Sequence, residues 1–264
     1  MLGLYERDYT KLTNEEIKEK EKIDKTSSKG MKYGRKNLVF EYPKAIRHFK
    51  SLFPNNYMDT QLLNDTVELE KQCNEFEKLL SDKSITELNI KRYIQKNMYY
   101  HIPGAIFSRY SFGHHEATLF KEFSLGTYYK TDYLLAGRGS GGWQFVLVEF
   151  ENPYGGITLQ NGDWGENIRK GLYQIEEWKT FVESSYSSVY EEFLKYTNQV
   201  LPDEFRRFDS SRMNYVIVAG RRQDFENATS RLKQRRSEQE RNIKILHYDN
   251  LLDDARRLIG AKSY

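Results

Sequence analysis

Two apolar runs in the middle of the chain predict neighbouring strands. One run occupies residues 131–135 and the other residues 145–150, and the glycines at 137, 139, 141 and 142 predict a turn between them. Side chains on a strand alternate between its two faces. The second run should therefore direct Phe145, Leu147, Glu149 and Glu151 to one face, and Val146, Val148 and Phe150 to the other.

The remaining pattern predicts helices around this centre. Apolar stripes at helical spacing occupy residues 60–80, 84–98, 165–182 and 189–197, with Ser84 as an N-cap, and a strongly charged helix ends near residue 241. Shorter segments predict strands at 37–43, 119–125, 128–135, 214–220 and 242–248, a loop at 26–30, a short helix at 45–53, and a closing helix at 249–258 capped by Asp249. The alternation of strands and helices predicts an α/β fold with a mixed sheet, behind a mostly helical region at residues 1–83.

Composition excludes several classes of protein. No apolar run among the 264 residues approaches the length of a membrane span. Cys73 is the only cysteine, which excludes a disulfide framework, fits a reducing cytoplasm and predicts a small buried side chain. The formal net charge of +3 neither requires nor excludes a nucleic-acid partner.

Three acidic residues are expected to meet at one end of the sheet. Glu149 and Glu151 are two residues apart on a strand, which corresponds to roughly 7 Å. Asp132, in the preceding strand, can reach the same place. Carboxylates brought together beside a buried strand cost free energy unless a cation holds them. This pattern predicts a site for a hard, oxygen-liganded metal ion such as Mg²⁺.

The order of elements and these acids resembles two groups of nucleases. Asp132 followed by Glu149-Phe150-Glu151 resembles the PD-(D/E)xK, restriction-endonuclease-like superfamily. Five segments, at residues 87–97, 132–135, 146–153, 174–178 and 244–252, together resemble the Shedu family of anti-phage nucleases. The resemblance covers about residues 85–258, so residues 84–264 are expected to form the nuclease domain.

The resemblance implies a function and a set of site residues. It implies a Mg²⁺-dependent DNA endonuclease, with Mn²⁺ as an alternative, that acts in bacterial defence on double-stranded phage or plasmid DNA as a homo-oligomer. Asp132 and Glu149 would hold the metal with the main-chain carbonyl of Phe150. Glu87 would extend the metal site, and Gln174 would face it from the following helix.

One position departs from the family motif. Glu151 stands where the motif usually carries a lysine that stabilises charge on the reacting phosphate. Three explanations stay open: Glu151 extends the metal site, a lysine such as Lys130 or Lys170 substitutes, or catalysis is weakened. The last would leave a DNA-binding or sensor protein on a nuclease fold.

Arginines near the end of the chain are candidates for contact with DNA. Arg221 and Arg222 follow a predicted strand, and the charged helix adds Arg231, Lys233, Arg235, Arg236 and Arg241. These side chains could bind the phosphate backbone. Interleaved glutamates make a solvated helix an equal alternative.

Overall fold

The computed structural model describes residues 3–29 and 41–264. The helices are α1 (Asn14–Lys29), α2 (Lys44–Lys50), α3 (Thr66–Leu80), α4 (Glu87–Asn97), α5 (His101–Gly104), α6 (Glu166–Ser184), α7 (Tyr186–Leu194), α8 (Ala228–Arg241) and α9 (Tyr248–Arg257). The strands are β1 (Glu116–Lys121), β2 (Ser124–Leu125), β3 (Tyr129–Lys130), β4 (Tyr133–Gly139), β5 (Gly142–Phe150), β6 (Met213–Val218) and β7 (Ile243–Leu246).

A five-stranded mixed sheet in the order β1-β4-β5-β6-β7 organises the chain. The strands β1, β4 and β5 pair antiparallel, whereas β5, β6 and β7 are parallel. In the parallel part, Glu149 lies beside Ile217, and Ile217 lies beside Ile245. The predicted α/β fold with a mixed sheet and a helical N-terminal region is confirmed.

Helices cover both faces of the sheet. Val146, Val148 and Phe150 pack into one core with residues of α3, α4, α5 and α9. Phe145 and Leu147 pack into a second core with residues of α6 and α7. The predicted alternation along β5 is therefore confirmed. In the part of the chain that the structure describes, no helix is long and apolar enough to cross a membrane.

The helix α3 of the N-terminal region belongs to the first of these cores. Leu69, Cys73, Phe76 and Leu80 of α3 are buried beside α4 and α9. Cys73 is fully buried, as its sequence context predicted, and burial raises the pKa of its thiol to about 11. Residues on both sides of position 83 thus share one core.

Arg221 connects three separate segments around this core. Its guanidinium donates to both carboxylate oxygens of Asp249 in α9, at 2.6 and 3.1 Å. It also donates to the carbonyl oxygen of Leu80, at the end of α3, and to the hydroxyl of Tyr154 in the loop after β5. The arginine side chain is only 18% exposed, so it connects these elements from within the fold.

Several predicted boundaries are wrong, mostly because a neighbouring polar residue makes the cap. The segment 60–80 divides into a 3-10 turn and α3, because the side chain of Asp65 accepts a hydrogen bond from the N–H of Glu68. Thr86, rather than Ser84, caps α4 in a reciprocal pair with Asn89.

At the other end of the chain, His247 caps α9 through Asn250, so Asp249 lies in the first turn instead. Near the N-terminus, α1 continues to Lys29 through most of the segment predicted as a loop, and Gly30 lies outside the described residues. Most of the strand predicted at 37–43 also lies outside them, and Pro43 precedes α2.

The contacts of Arg221 predict that it stabilises the fold. Replacing it by methionine removes the bidentate partner of Asp249 and leaves partly buried acceptors unsatisfied. We expect Arg221→Met to lower the free energy of unfolding by about 2 kcal/mol, measured by urea denaturation. Its neighbour Arg222, which is 60% exposed and pairs with Asp253, is the matched control. Arg222→Met should change stability by about 0.5 kcal/mol or less. Equal losses in the two variants would contradict this role.

Candidate active site

The candidate site lies where β5 ends. Glu149 occupies the face of β5 that packs toward α6, and Glu151 follows the last strand residue with its side chain fully buried. The N–H of Glu151 donates to the carbonyl of Val218 at 2.8 Å. The carbonyl of Glu151 accepts from the Tyr248 hydroxyl at 2.8 Å. The main chain of Glu151 is thus held through both its N–H and its carbonyl.

Asp132 reaches the same end from a break in the neighbouring strand. The segment predicted as one strand at 128–135 is interrupted: β3 ends at Lys130, and β4 begins at Tyr133. Asp132 lies in the gap, where its Oδ2 accepts the N–H of Phe150 at 2.8 Å. The carboxylate of Asp132 therefore takes the place of a main-chain carbonyl as the acceptor for the N–H of Phe150, next to Glu149.

The N-terminal half of α4 contributes Glu87 and Lys91. The N–H of Glu87 donates to the side chain of Asn152, just after β5, which fixes the start of the helix at the site. One turn later, the Lys91 ammonium lies 2.6 Å from Oδ1 of Asp132 and 3.7 Å from Glu87. Lys91 is therefore the direct partner of Asp132.

A second lysine enters from α6. The Lys170 ammonium lies 3.0 Å from Oε2 of Glu151 and 3.9 Å from Glu87. The next residue, Gly171, allows the helix to approach closely. A Cβ there would lie 3.1 Å from Ile217 and 3.4 Å from the Cγ of Glu151. Glu87 is thus the acid that both lysines approach, one from each side of the sheet.

Burial and mutual repulsion raise the pKa values of the acids. For Glu149, burial is the largest cause, followed by the charges of Asp132 and Glu151, and its pKa rises to about 9. Burial raises the pKa of Glu151 to about 7 although Lys170 opposes the shift. The pKa of Asp132 is also raised by burial, against the opposing effect of Lys91. The four acids outnumber the two lysines, so the site lacks positive charge.

The lysines are held in their charged form by the same arrangement. Burial alone would lower the pKa of Lys91, but the adjacent Asp132 outweighs it and the pKa is raised. Lys170 behaves in the same way beside Glu151. Both side chains therefore supply permanent positive charge at the end of β5.

The site has the type of ligand that a divalent cation prefers, but its side chains are not grouped around one position. Carboxylate oxygens are the preferred ligands of Mg²⁺, and one oxygen each of Glu87 and Glu151 is buried without a hydrogen-bond partner among the described residues. Within the same residues, however, no three His, Cys, Asp or Glu side chains are grouped so that they could hold a metal ion. Lys91 and Lys170 instead bind oxygens of Asp132 and Glu151.

The other predicted site residues have different environments. Gln174 follows Lys170 by one turn of α6 and is partly buried. Lys130 is exposed on β3, which pairs with β2 outside the main sheet, and the break before β4 means that it does not share a strand face with Asp132. Arg221 is engaged by Asp249, whereas Arg222 remains largely exposed.

Sequence reasoning missed Lys91. Its position was readable in one respect, because it follows Glu87 by four residues and therefore shares a helix face with a predicted site residue. Its pairing with Asp132 joins positions 41 residues apart in the chain. That contact depends on how α4 packs on the sheet, which the local pattern does not specify.

The comparison with known proteins identifies the family. The family model described as "Shedu protein SduA, C-terminal" matches residues 67–252, and the chain therefore belongs to the Shedu family. Membership implies a role in anti-phage defence. The match begins inside α3, so it includes part of the N-terminal helical region. The search of curated proteins gave no match.

The raised pKa of Glu149 predicts a pH-dependent effect on stability. A folded-state pKa near 9, above the ordinary value, means that the native state binds more protons than the unfolded state between about pH 5 and pH 9. Stability is therefore lost as the pH rises through this range. Glu149→Gln removes the effect, so its melting temperature in EDTA should exceed that of the wild type increasingly from pH 5 to pH 9.

The exposed Glu183 in α6 provides the control. Glu183→Gln should follow the wild-type melting curve at every pH, because its carboxylate is hydrated in both states. A constant difference between Glu149→Gln and the wild type, or one that shrinks with rising pH, would show that Glu149 is not buried as an unfavourable charge.

Proposed function

We propose that this member of the Shedu family is a metal-dependent DNA endonuclease that acts in anti-phage defence, with a restriction-endonuclease-like catalytic centre at the end of β5. The observation that carries the proposal is the convergence of Asp132, Glu149 and Glu151 with Glu87, from two strands and a helix. Acids whose pKa values are raised by burial and then by neighbouring carboxylates are typical of functional sites, because such a cluster is costly to maintain for structure alone.

The proposed metal ligands are Asp132, Glu149 and the main-chain carbonyl of Phe150, with Glu87 and Glu151 extending the site. When bound, Mg²⁺ would polarise a phosphate oxygen and lower the pKa of an attacking water. A cation held by Asp132 would compete with the ammonium of Lys91 for Oδ1. The Lys91 ammonium would then be available to another anion, such as a phosphate oxygen.

Lys170 is the proposed substitute for the lysine of the family motif. Its ammonium is bound to the carboxylate of Glu151, the residue that occupies the motif position. It therefore brings positive charge to the neighbourhood where the motif lysine would act. A fixed cation stabilises the extra negative charge that develops on the phosphate during cleavage. Gln174, one turn further along α6, is proposed to orient a water molecule or a phosphate.

A second candidate function is DNA binding without cleavage. It is favoured by one observation, namely that lysines already neutralise Asp132 and Glu151 and that no three acidic side chains are grouped for a metal within the described ranges. In that case the site would use its lysines to hold a phosphate. The two functions differ in whether a divalent metal leads to strand breakage.

The first test is cleavage of plasmid and linear duplex DNA by the full chain in EDTA, Mg²⁺ and Mn²⁺. We expect cutting that requires metal and that falls at least about 100-fold in Glu149→Gln, because that variant removes a proposed ligand while preserving shape. The matched control is Glu183→Gln, which should cut at the wild-type rate. Binding of DNA without cutting under either metal would overturn the nuclease proposal and favour the second candidate.

The second test addresses the substitute lysine. Lys170→Met should slow metal-dependent cutting by about 100-fold, whereas Lys96→Met, an exposed site on α4, should not change it. Adding Glu151→Lys to Lys170→Met returns a cation to the motif position and should recover part of the lost rate. An unchanged rate in Lys170→Met would show that the charge comes from elsewhere, with Lys91 as the remaining lysine of the cluster.

A further inference from the structure

The helix α8 carries an excess of positive charge. Of the charged side chains in α8, five are arginine or lysine and two are glutamate, a net charge of +3. The whole chain has the same formal net charge, so the rest of it is formally neutral. The excess of positive charge on α8 attracts a polyanion that approaches the helix.

A groove beside α8 collects part of this charge. Its volume is about 350 Å³, and it runs between α8, the edge strand β7 and the start of α9. The charged side chains that line it are Arg109, Arg231, Arg235, Lys244 and Glu238. We call this cleft the β7–α8 groove.

The cations of the groove are unequally matched by acids. Arg109 lies 2.5 Å from Asp254, and Lys244 is paired with Glu238. Arg231 and Arg235 form no ion pair with any described residue, although the Nε of Arg231 donates to the carbonyl of Phe225. They are also one helical turn apart, so they repel each other along the same face. An anion between them would relieve this repulsion.

The packing of α8 buries neither of these two arginines. Both are exposed, and the buried residues of the helix are the small side chains of Ser230 and Ser237. Gln234 instead fixes the helix to the sheet, because its amide donates to the carbonyl of Ile245 at 3.0 Å. The arginines are therefore held on an anchored helix with their charged ends available.

The groove is in register with the candidate active site. Glu149 on β5 lies beside Ile217 on β6, which lies beside Ile245 on β7. Two strand spacings separate Glu149 from the wall of the groove, roughly 10 Å. This separation corresponds to about three steps along one DNA strand, at 3.4 Å each. A strand with one phosphate at the carboxylates can therefore place another phosphate a few nucleotides away in the groove.

We propose that the β7–α8 groove binds backbone phosphates of duplex DNA through Arg231 and Arg235, and so positions the strand whose phosphate lies at the end of β5. This inference rests on the proposed function for its substrate, but it concerns affinity and not chemistry. The contacts are to phosphate oxygens, which carry no base sequence. The groove therefore contributes binding that is independent of sequence and sensitive to salt.

The test measures DNA binding by the full chain in EDTA, so that cleavage does not interfere. Fluorescence anisotropy of a labelled duplex is followed over a range of KCl concentrations, for the wild type and for Arg231→Gln/Arg235→Gln. We expect the double variant to bind at least about tenfold more weakly at 0.1 M salt. The slope of log affinity against log salt is negative, and its magnitude should decrease by about 1.8, because two phosphate contacts are lost.

The matched control is Arg206→Gln/Arg207→Gln. These two arginines are equally exposed, but they lie near the start of β5, at the opposite end of the sheet. The control should keep the wild-type slope and affinity to within about twofold. An unchanged slope in Arg231→Gln/Arg235→Gln, or an equal loss in the control, would overturn the groove proposal.

The outcome is separable from that of the nuclease proposal. If the chain binds DNA through the groove and never cuts it, the groove proposal stands and the nuclease proposal is overturned. If the wild type cuts DNA and the double variant binds and cuts equally well, the nuclease proposal stands and the groove proposal is overturned. A wild type that binds no duplex at any salt concentration would overturn the groove directly.

Discussion

The structure depends on holding several carboxylates together, largely out of water, at the end of one strand. Glu149 and Glu151 are brought there by the alternation of β5, and Asp132 by a gap between two other strands. Burial first, and the charges of Asp132 and Glu151 second, raise the pKa of Glu149, so each added charge increases the cost of holding the others there. Such a cluster persists only if the surrounding structure supplies positive charge and a rigid main chain.

Both faces of the sheet supply these requirements. The helix α4, packed on one face, provides Lys91, and α6, packed on the other, provides Lys170. The α9 residue Tyr248 holds the carbonyl of Glu151, and Arg221 joins α9 to α3. The three-layer architecture thus does more than bury apolar surface: it allows cations to reach the same acids from opposite sides.

The sequence predicted those parts of the site that local geometry determines. Period-two alternation was enough to place Glu149 and Glu151 on one face, and the apolar run was enough to identify a central strand. It did not reveal Lys91, whose partner is distant in the chain, nor the break at Asp132, where apolar neighbours on both sides suggested a continuous strand. The caps at Thr86 and His247 were also missed, because several polar residues near each helix start could have served and packing selected among them.

The hydrogen bond between Asp132 and the N–H of Phe150 gives the acids unequal evolutionary constraints. A lineage that abandoned chemistry at this site could replace Glu149 freely, since no described residue forms a hydrogen bond or ion pair with its side chain and its charge is a burden on the fold. The same lineage would keep Asp132, whose carboxylate joins the start of β4 to the end of β5. Drift after loss of function would therefore erase Glu149 first.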